Sequence, residues 1–187
     1  TPARAGVAVG ASARGVREAE RVPGRVRGDA EAGLLPRQTA GSEGEHLLRF
    51  CAENYDRPGH GIWEMRGAPG FFVHGRAMMW AAFNEGLRAL DEHGLDGPVD
   101  RWRELRENLR EEILERGWNQ RLGAFVGAYD TETLDAANLL LAHTGFVKPD
   151  DPRYLSTLAA IEKRLVTEDG LCFRYIADDD FGTPDST

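Results

Sequence analysis

Between Gly59 and Trp80 the chain reads GHGIWEMRGAPGFFVHGRAMMW, and one carboxylate, Glu64, stands there between Trp63 and Arg66 in a glycine-bounded stretch. A flat indole stacks on the apolar face of a pyranose ring, a guanidinium donates several fixed hydrogen bonds to hydroxyls, and a carboxyl moves a proton. These three residue types at this spacing suit sugar chemistry. The motif Trp-Glu-x-Arg is short, and an ordinary loop with a surface ion pair has the same letters. Its meaning depends on what surrounds it.

Other candidate motifs are weaker. The run VAVGASARG at 7–15 is glycine-rich, but it lacks the Lys-Ser/Thr of a phosphate loop and the glycine spacing of a dinucleotide fingerprint. No cluster of His, Cys and Asp has metal-ligand spacing, so no metal and no cofactor is expected. The formal charge of −8 argues against a nucleic-acid partner, which needs clustered Lys and Arg. It suits a neutral or cationic ligand.

The elements that must position Glu64 are helical. Its 187 residues give the chain the size of one ordinary domain with a real core. Apolar runs such as LLLA at 139–142 fall far short of the roughly 20 residues a spanning helix needs, and no signal peptide is evident. No membrane partner and a cytoplasmic location are the expectations. Cys51 and Cys172 lie far apart beside apolar residues, and two reduced, buried thiols are expected rather than a disulfide.

Residues 1–44 differ from the remainder. They are rich in Ala, Gly and Arg, contain no aromatic residue, and carry seven Arg against five acids. Such a segment cannot bury enough apolar surface to offset its ordering entropy, so it is expected to be low-complexity and disordered or non-native. From Glu45 onward the spacing is helical. Leu47, Leu48, Cys51, Ala52 and Tyr55 mark one face of a first helix that stops before Pro58. A second runs from about Arg76 to His93 with Met79, Ala82, Phe83, Gly86, Leu87 and Leu90 inward. A third begins near Pro98 and Val99, places Trp102, Leu105, Leu109 and Ile113 on one stripe, and ends at Gly117; its Arg103, Glu104, Glu107 and Glu111 face solvent.

The segment 118–130 reads as a long loop or short hairpin. A fourth helix at about 133–143, apolar nearly all round, is expected to be buried on most sides. A fifth follows Pro152 and ends before Gly170. The short run LCFRYIA at 171–177 is the one strand-like piece. Amphipathic helices alternating with a more buried one, joined by aromatic-bearing loops, predict an all-α layered or toroidal architecture.

Six blocks in order, HGIWEMRG at 60–67, HGRAMMWAAF at 74–83, ERGWNQRLGAFVGAY at 115–129, LDAANLLL at 134–141, GFVKPDDPR at 145–153 and FRYIADDDFGTPD at 173–185, resemble glycoside hydrolase family 15, the glucoamylase and bacterial trehalase-like α-glucosidases. The resemblance covers about residues 46–187. It implies an (α/α)6 toroid, of which this chain would be about half, so residues 45–187 are expected to form a partial catalytic domain. It also implies inverting hydrolysis of terminal α-glucosidic bonds, on trehalose or short starch-type glucans. In that reaction one carboxyl protonates the leaving oxygen and another, roughly 6.5 to 9.5 Å away, activates water.

By the same resemblance the general acid is Glu64, flanked by Trp63 and Arg66 as substrate contacts, with the carboxyl desolvated by neighbouring aromatics. Arg174 and Asp179 carry over as ligands of glucose hydroxyls. The general-base position falls on Asp185, where related bacterial members have Glu. Family members commonly have Asp where this chain has Gly59, and Ser where it has Gly75. Trp80, Trp118 and Asp135 are expected to be structural.

Two functions follow from different classes. The chain is part of an α-glucoside hydrolase, or it is a catalytically inert carbohydrate-binding or assembly fragment that self-associates through an open half-toroid edge. Another (α/α)6 sugar enzyme such as an epimerase would depend on site histidines, and only His60 and His74 lie near Glu64 in sequence.

Overall fold

The computed structural model describes residues 37–65, 67–93 and 97–176, with side chains from Gly44 onward. The described elements are α1 (Arg37–Glu53), α2 (Val73–His93), α3 (Val99–Arg116), a hairpin of β1 (Trp118–Asn119) and β2 (Ala124–Phe125), a 3-10 helix (Ala136–Leu140), and α4 (Pro152–Leu165). Most of the segment 1–44, with the run at 7–15, lies outside the described residues. Helix α1 begins upstream of the Glu45 at which the sequence pattern starts.

The second and third helices follow their apolar spacing. Helix α2 buries Val73, Ala77, Trp80, Phe83, Leu87 and Leu90, and α3 buries Trp102, Leu105, Leu109 and Ile113. Facing stripes of three- and four-residue period pack the two helices along their length, and Leu48 and Cys51 of α1 join the same core. Leu47 stands out of the α1 stripe and is exposed. Its position is one residue off the Leu48, Cys51, Ala52, Tyr55 face, and a 100° step along the helix turns it to solvent.

Segment 118–130 resolves as a short antiparallel hairpin pairing Trp118 with Phe125 and Asn119 with Ala124. Trp118 packs edge-on against Phe125, and Trp80 edge-on against Phe146. Trp80 is a core residue, and Trp118 is partly buried against the same core. Helix α4 starts at Pro152, where Asp151 caps Arg153 N–H at 2.8 Å, and its Ile161 and Leu165 close a second apolar cluster with Ala124 and Leu134.

The fourth helix expected at 133–143 is not α-helical. Asp135 caps it by accepting from Ala137 N–H, and Asn138 N–H and Leu141 N–H bond three residues back, giving one 3-10 turn followed by turns. Asn138 is fully buried and donates to the Phe125 and Val126 carbonyls, which ties this segment to β2 rather than to a helix of its own. Nor is the segment buried all round, since Leu139 and Leu140 are 39% and 42% exposed. Both cysteines are free, but only Cys51 is buried, which raises its thiol pKa; Cys172 is exposed because residues 166–175 run as a surface strip held by single bridges.

Candidate active site

The loop carrying Glu64 is closed at its neck by backbone. Gly59 and Gly70 exchange two hydrogen bonds, Gly59 N–H to Gly70 O at 3.0 Å and Gly70 N–H to Gly59 O at 2.8 Å. Within the neck, Met65 N–H reaches His60 O at 2.9 Å, and His60 Nδ1 donates back to Met65 O at 2.7 Å. Gly61 has φ +70 and lies against the Phe72 ring, where a Cβ would sit 3.0 Å from the ring atoms, so only glycine fits. This fold brings Trp63 and Glu64 to the loop tip.

Glu64 itself has φ +51, a left-handed conformation that costs a non-glycine residue roughly 1–2 kcal/mol. Strain of this kind persists only where surrounding contacts over-determine it. The contacts fall on its neighbour. Trp63 Nε1 donates to Asp135 Oδ1 at 2.8 Å, and the guanidinium of Arg174 lies 5.6 Å from the centroid of the Trp63 ring. Glu64 is exposed, so the aromatic surround that would desolvate it is not provided by the described residues.

Asp135 sits beneath this pair at 5% exposure. Burial pushes its carboxyl above the usual carboxylate range, while the Trp63 and Ala137 donors and the nearby His74 pull it back down. His74, at the first turn of α2, is held below the ordinary imidazole range by burial, with Asp135 opposing. The main chain of Asp135 bridges to Tyr175, and Ala136 N–H donates to Arg174 O at 2.8 Å. One residue therefore touches the Glu64 loop with its side chain and the Arg-Tyr segment with its backbone.

Of the residues singled out by sequence, Trp63 and Arg174 are brought together, with Glu64 next to Trp63 along the chain. Arg66, Asp179 and Asp185 lie outside the described residues. Asp135, expected to be structural, bonds the Trp63 indole with its side chain and meets the segment that carries Arg174 with its backbone. The one local sign of it is an Asp immediately before Ala-Ala, which suits an N-cap; nothing local points to an indole 72 positions earlier.

The sequence matches the family described as Glycosyl hydrolases family 15 over residues 28–181, which is most of the chain. The chain belongs to glycosyl hydrolase family 15. Its family-15 match begins upstream of residue 46. Within the family it is 39% identical over 123 residues to a trehalase of Mycobacterium tuberculosis, covering 66% of this chain and 18% of that one. It is 35% identical over 122 residues to a trehalase of Thermoplasma volcanium, covering 65% and 20%. The chain thus spans about a fifth of the length of these relatives.

Among solved structures, a glycosidase variant in complex with glucose superposes with a TM-score of 0.61 at 19% identity, over 70% of this chain and 34% of that one. A wild-type glycosidase gives 0.56 at 23%, with the same coverage. The fold of this family-15 chain is accordingly all-α, a part of an (α/α)6 toroid.

Proposed function

We propose that this chain carries the acid-bearing part of an inverting α-glucoside hydrolase, acting on trehalose or short starch-type α-glucans. The observation that supports this reading best is the juxtaposition at the loop tip: an exposed carboxylate, Glu64, beside an indole fixed by Asp135 and faced by the Arg174 guanidinium. Glu64 is the general acid. Trp63 offers a ring for the sugar face, and Arg174 donates to its hydroxyls. Arg66 and Asp179 join them as substrate ligands, and Asp185 takes the general-base position, as the family resemblance assigns. Residues 45–187 form the partial catalytic domain, apart from a low-complexity segment 1–44, and the protein acts in the cytoplasm. The trehalases among its relatives make trehalose the first substrate to try.

The assay is glucose release from trehalose and maltotriose by the purified chain, with Glu64→Gln in parallel. Release that disappears in Glu64→Gln while sugar binding survives supports the reading, since the substitution removes the proton and keeps the pocket. A variant with near-normal turnover removes Glu64 from the acid role.

A second reading is a catalytically inert carbohydrate-binding or assembly piece. It is favoured by the exposed Leu139 and Leu140 of the 3-10 helix and Leu155 of α4, elements that pack together and are joined by Tyr154 Oη donating to Leu139 O. Sedimentation of the chain at increasing concentration tests it. Self-association together with sugar binding and no glucose release favours this second reading.

A further inference from the structure

We propose that Asp135 is the positioning residue that sets the acid loop in register with the arginine segment; this rests on the reading of Glu64 as acid and Arg174 as sugar ligand. A capping role alone accounts poorly for what Asp135 does. An N-cap of a one-turn helix needs an oxygen on Ala137 N–H, and Ser, Asn or Asp supplies that equally well. Here the same Oδ1 also receives the Trp63 indole at 2.8 Å, from a carboxyl that is nearly enclosed. The residue whose indole is held directly precedes the strained Glu64.

The main chain supplies the other half of the register. Asp135 bridges Tyr175, and the next N–H holds the Arg174 carbonyl, so the guanidinium over the Trp63 ring and the indole beneath it are referred to one residue. Asp135 is in turn seated on α2. Val73 N–H at the helix start donates to Gly127 O at 2.9 Å, Gly127 N–H donates to Thr133 O at 2.7 Å, and a Cβ on Gly127 would lie 3.1 Å from the Asp135 Cβ. Gly127 is the space that lets Asp135 approach. The path from the buried helix to the tip of the acid loop then runs through α2, Gly127, Asp135 and Trp63 without a gap.

Two substitutions separate positioning from capping. Asp135→Ser keeps a capping oxygen but is too short to reach the indole, whereas Asp135→Asn keeps an oxygen at the same reach. In the full chain labelled with 15N, the Trp63 indole N–H is assigned with Trp63→Phe, its hydrogen exchange is measured in each variant, and glucose is titrated in. Loss of a buried hydrogen bond in Asp135→Ser should speed exchange of the Trp63 indole about fivefold, with Asp135→Asn restoring most of the protection. Glucose affinity should fall in the same order.

Equal protection of the Trp63 indole in Asp135→Ser and wild type overturns the proposal. A lost indole bond together with a wild-type chain whose Trp63 and Arg174 signals ignore saturating glucose overturns the sugar-site reading instead, and the positioning role with it. Should Asp135→Ser not fold, Gly127→Ala provides the second probe. It crowds Asp135 by a few tenths of an ångström, and unchanged Trp63 protection in that variant also overturns the proposal.

Discussion

Arg76 Nη2 meets Glu112 Oε2 at 2.6 Å between α2 and α3, with the Arg76 side chain 5% exposed and that of Glu112 31%. The same guanidinium donates to the Tyr55 carbonyl and lies over the Tyr55 and Phe71 rings, and Tyr55 Oη donates to Glu112 at 2.5 Å. Burial, and then Glu112, push the Tyr55 hydroxyl pKa upward. This cluster joins the turn after α1, the residue that follows the Gly59–Gly70 neck, and the two core helices. Replacing Glu112 with Gln leaves Arg76 enclosed without its counter-charge. The expected loss is about 3 kcal/mol of unfolding free energy, read from urea denaturation at neutral pH.

Asn138 provides a second stability test. Its fully buried amide donates to Phe125 O at 3.1 Å and Val126 O at 2.9 Å. Asn138→Leu keeps the branched shape with greater bulk and leaves both carbonyls without a partner in an apolar enclosure. The variant should lose about 2 kcal/mol or more, because a buried acceptor left unsatisfied costs its full desolvation. A loss below about 0.5 kcal/mol would mean that the two carbonyls find other donors.

The enclosed imidazole of His74 predicts a pH dependence. Its folded pKa lies below the unfolded reference of 6.5, so protonation favours the unfolded chain. The stability contribution of the neutral ring is fully present above pH 6.5 and is lost as pH falls through the lower folded value. His74→Gln removes this proton linkage. Melting temperature should therefore decline less between pH 7.5 and pH 5 in the variant than in wild type, the residual slope belonging to other groups. Parallel declines would show that His74 titrates alike in both states.

Glu64 predicts a trade of stability against function. Its φ of +51 is strained for glutamate and free for glycine. Glu64→Gly should raise unfolding free energy by about 0.5 kcal/mol after the entropy of the more flexible unfolded chain is subtracted, while eliminating any glucose release. A destabilised Glu64→Gly protein would mean that the carboxylate itself supports the loop.

Much of the helical scaffold is legible in the sequence, because α2, α3 and α4 each bury one stripe at three- and four-residue spacing against a charged outer face. The segment around Leu134–Leu141 is not, since its apolar letters fit a buried helix while the side chains of Asp135 and Asn138 divert the backbone into a single 3-10 turn. Leu47 shows the same limit at the scale of one residue. Trp63, Glu64 and Arg174 are recognisable by type and by block. Their arrangement is not, because it depends on one hydrogen bond between positions 63 and 135 and one bridge between 135 and 175, and long-range pairing leaves no periodic trace. The left-handed backbone of Glu64 is likewise invisible in a residue type that rarely adopts it.

The bond between Trp63 and Asp135, with its backing from Tyr175, also bears on the order in which the polypeptide assembles. Helices α2 and α3 are sequence neighbours and can dock on each other early, since their contacts are comparatively local. The turn at residues 61–65 closes on local backbone bonds, but the Trp63 side chain waits for a segment 72 positions downstream, which is itself held by residues some 40 positions further on. During synthesis the Trp63 side chain is thus among the last parts to acquire its final position, and a growing chain that has exposed only α1 to α3 would hold a formed scaffold with an unset loop tip.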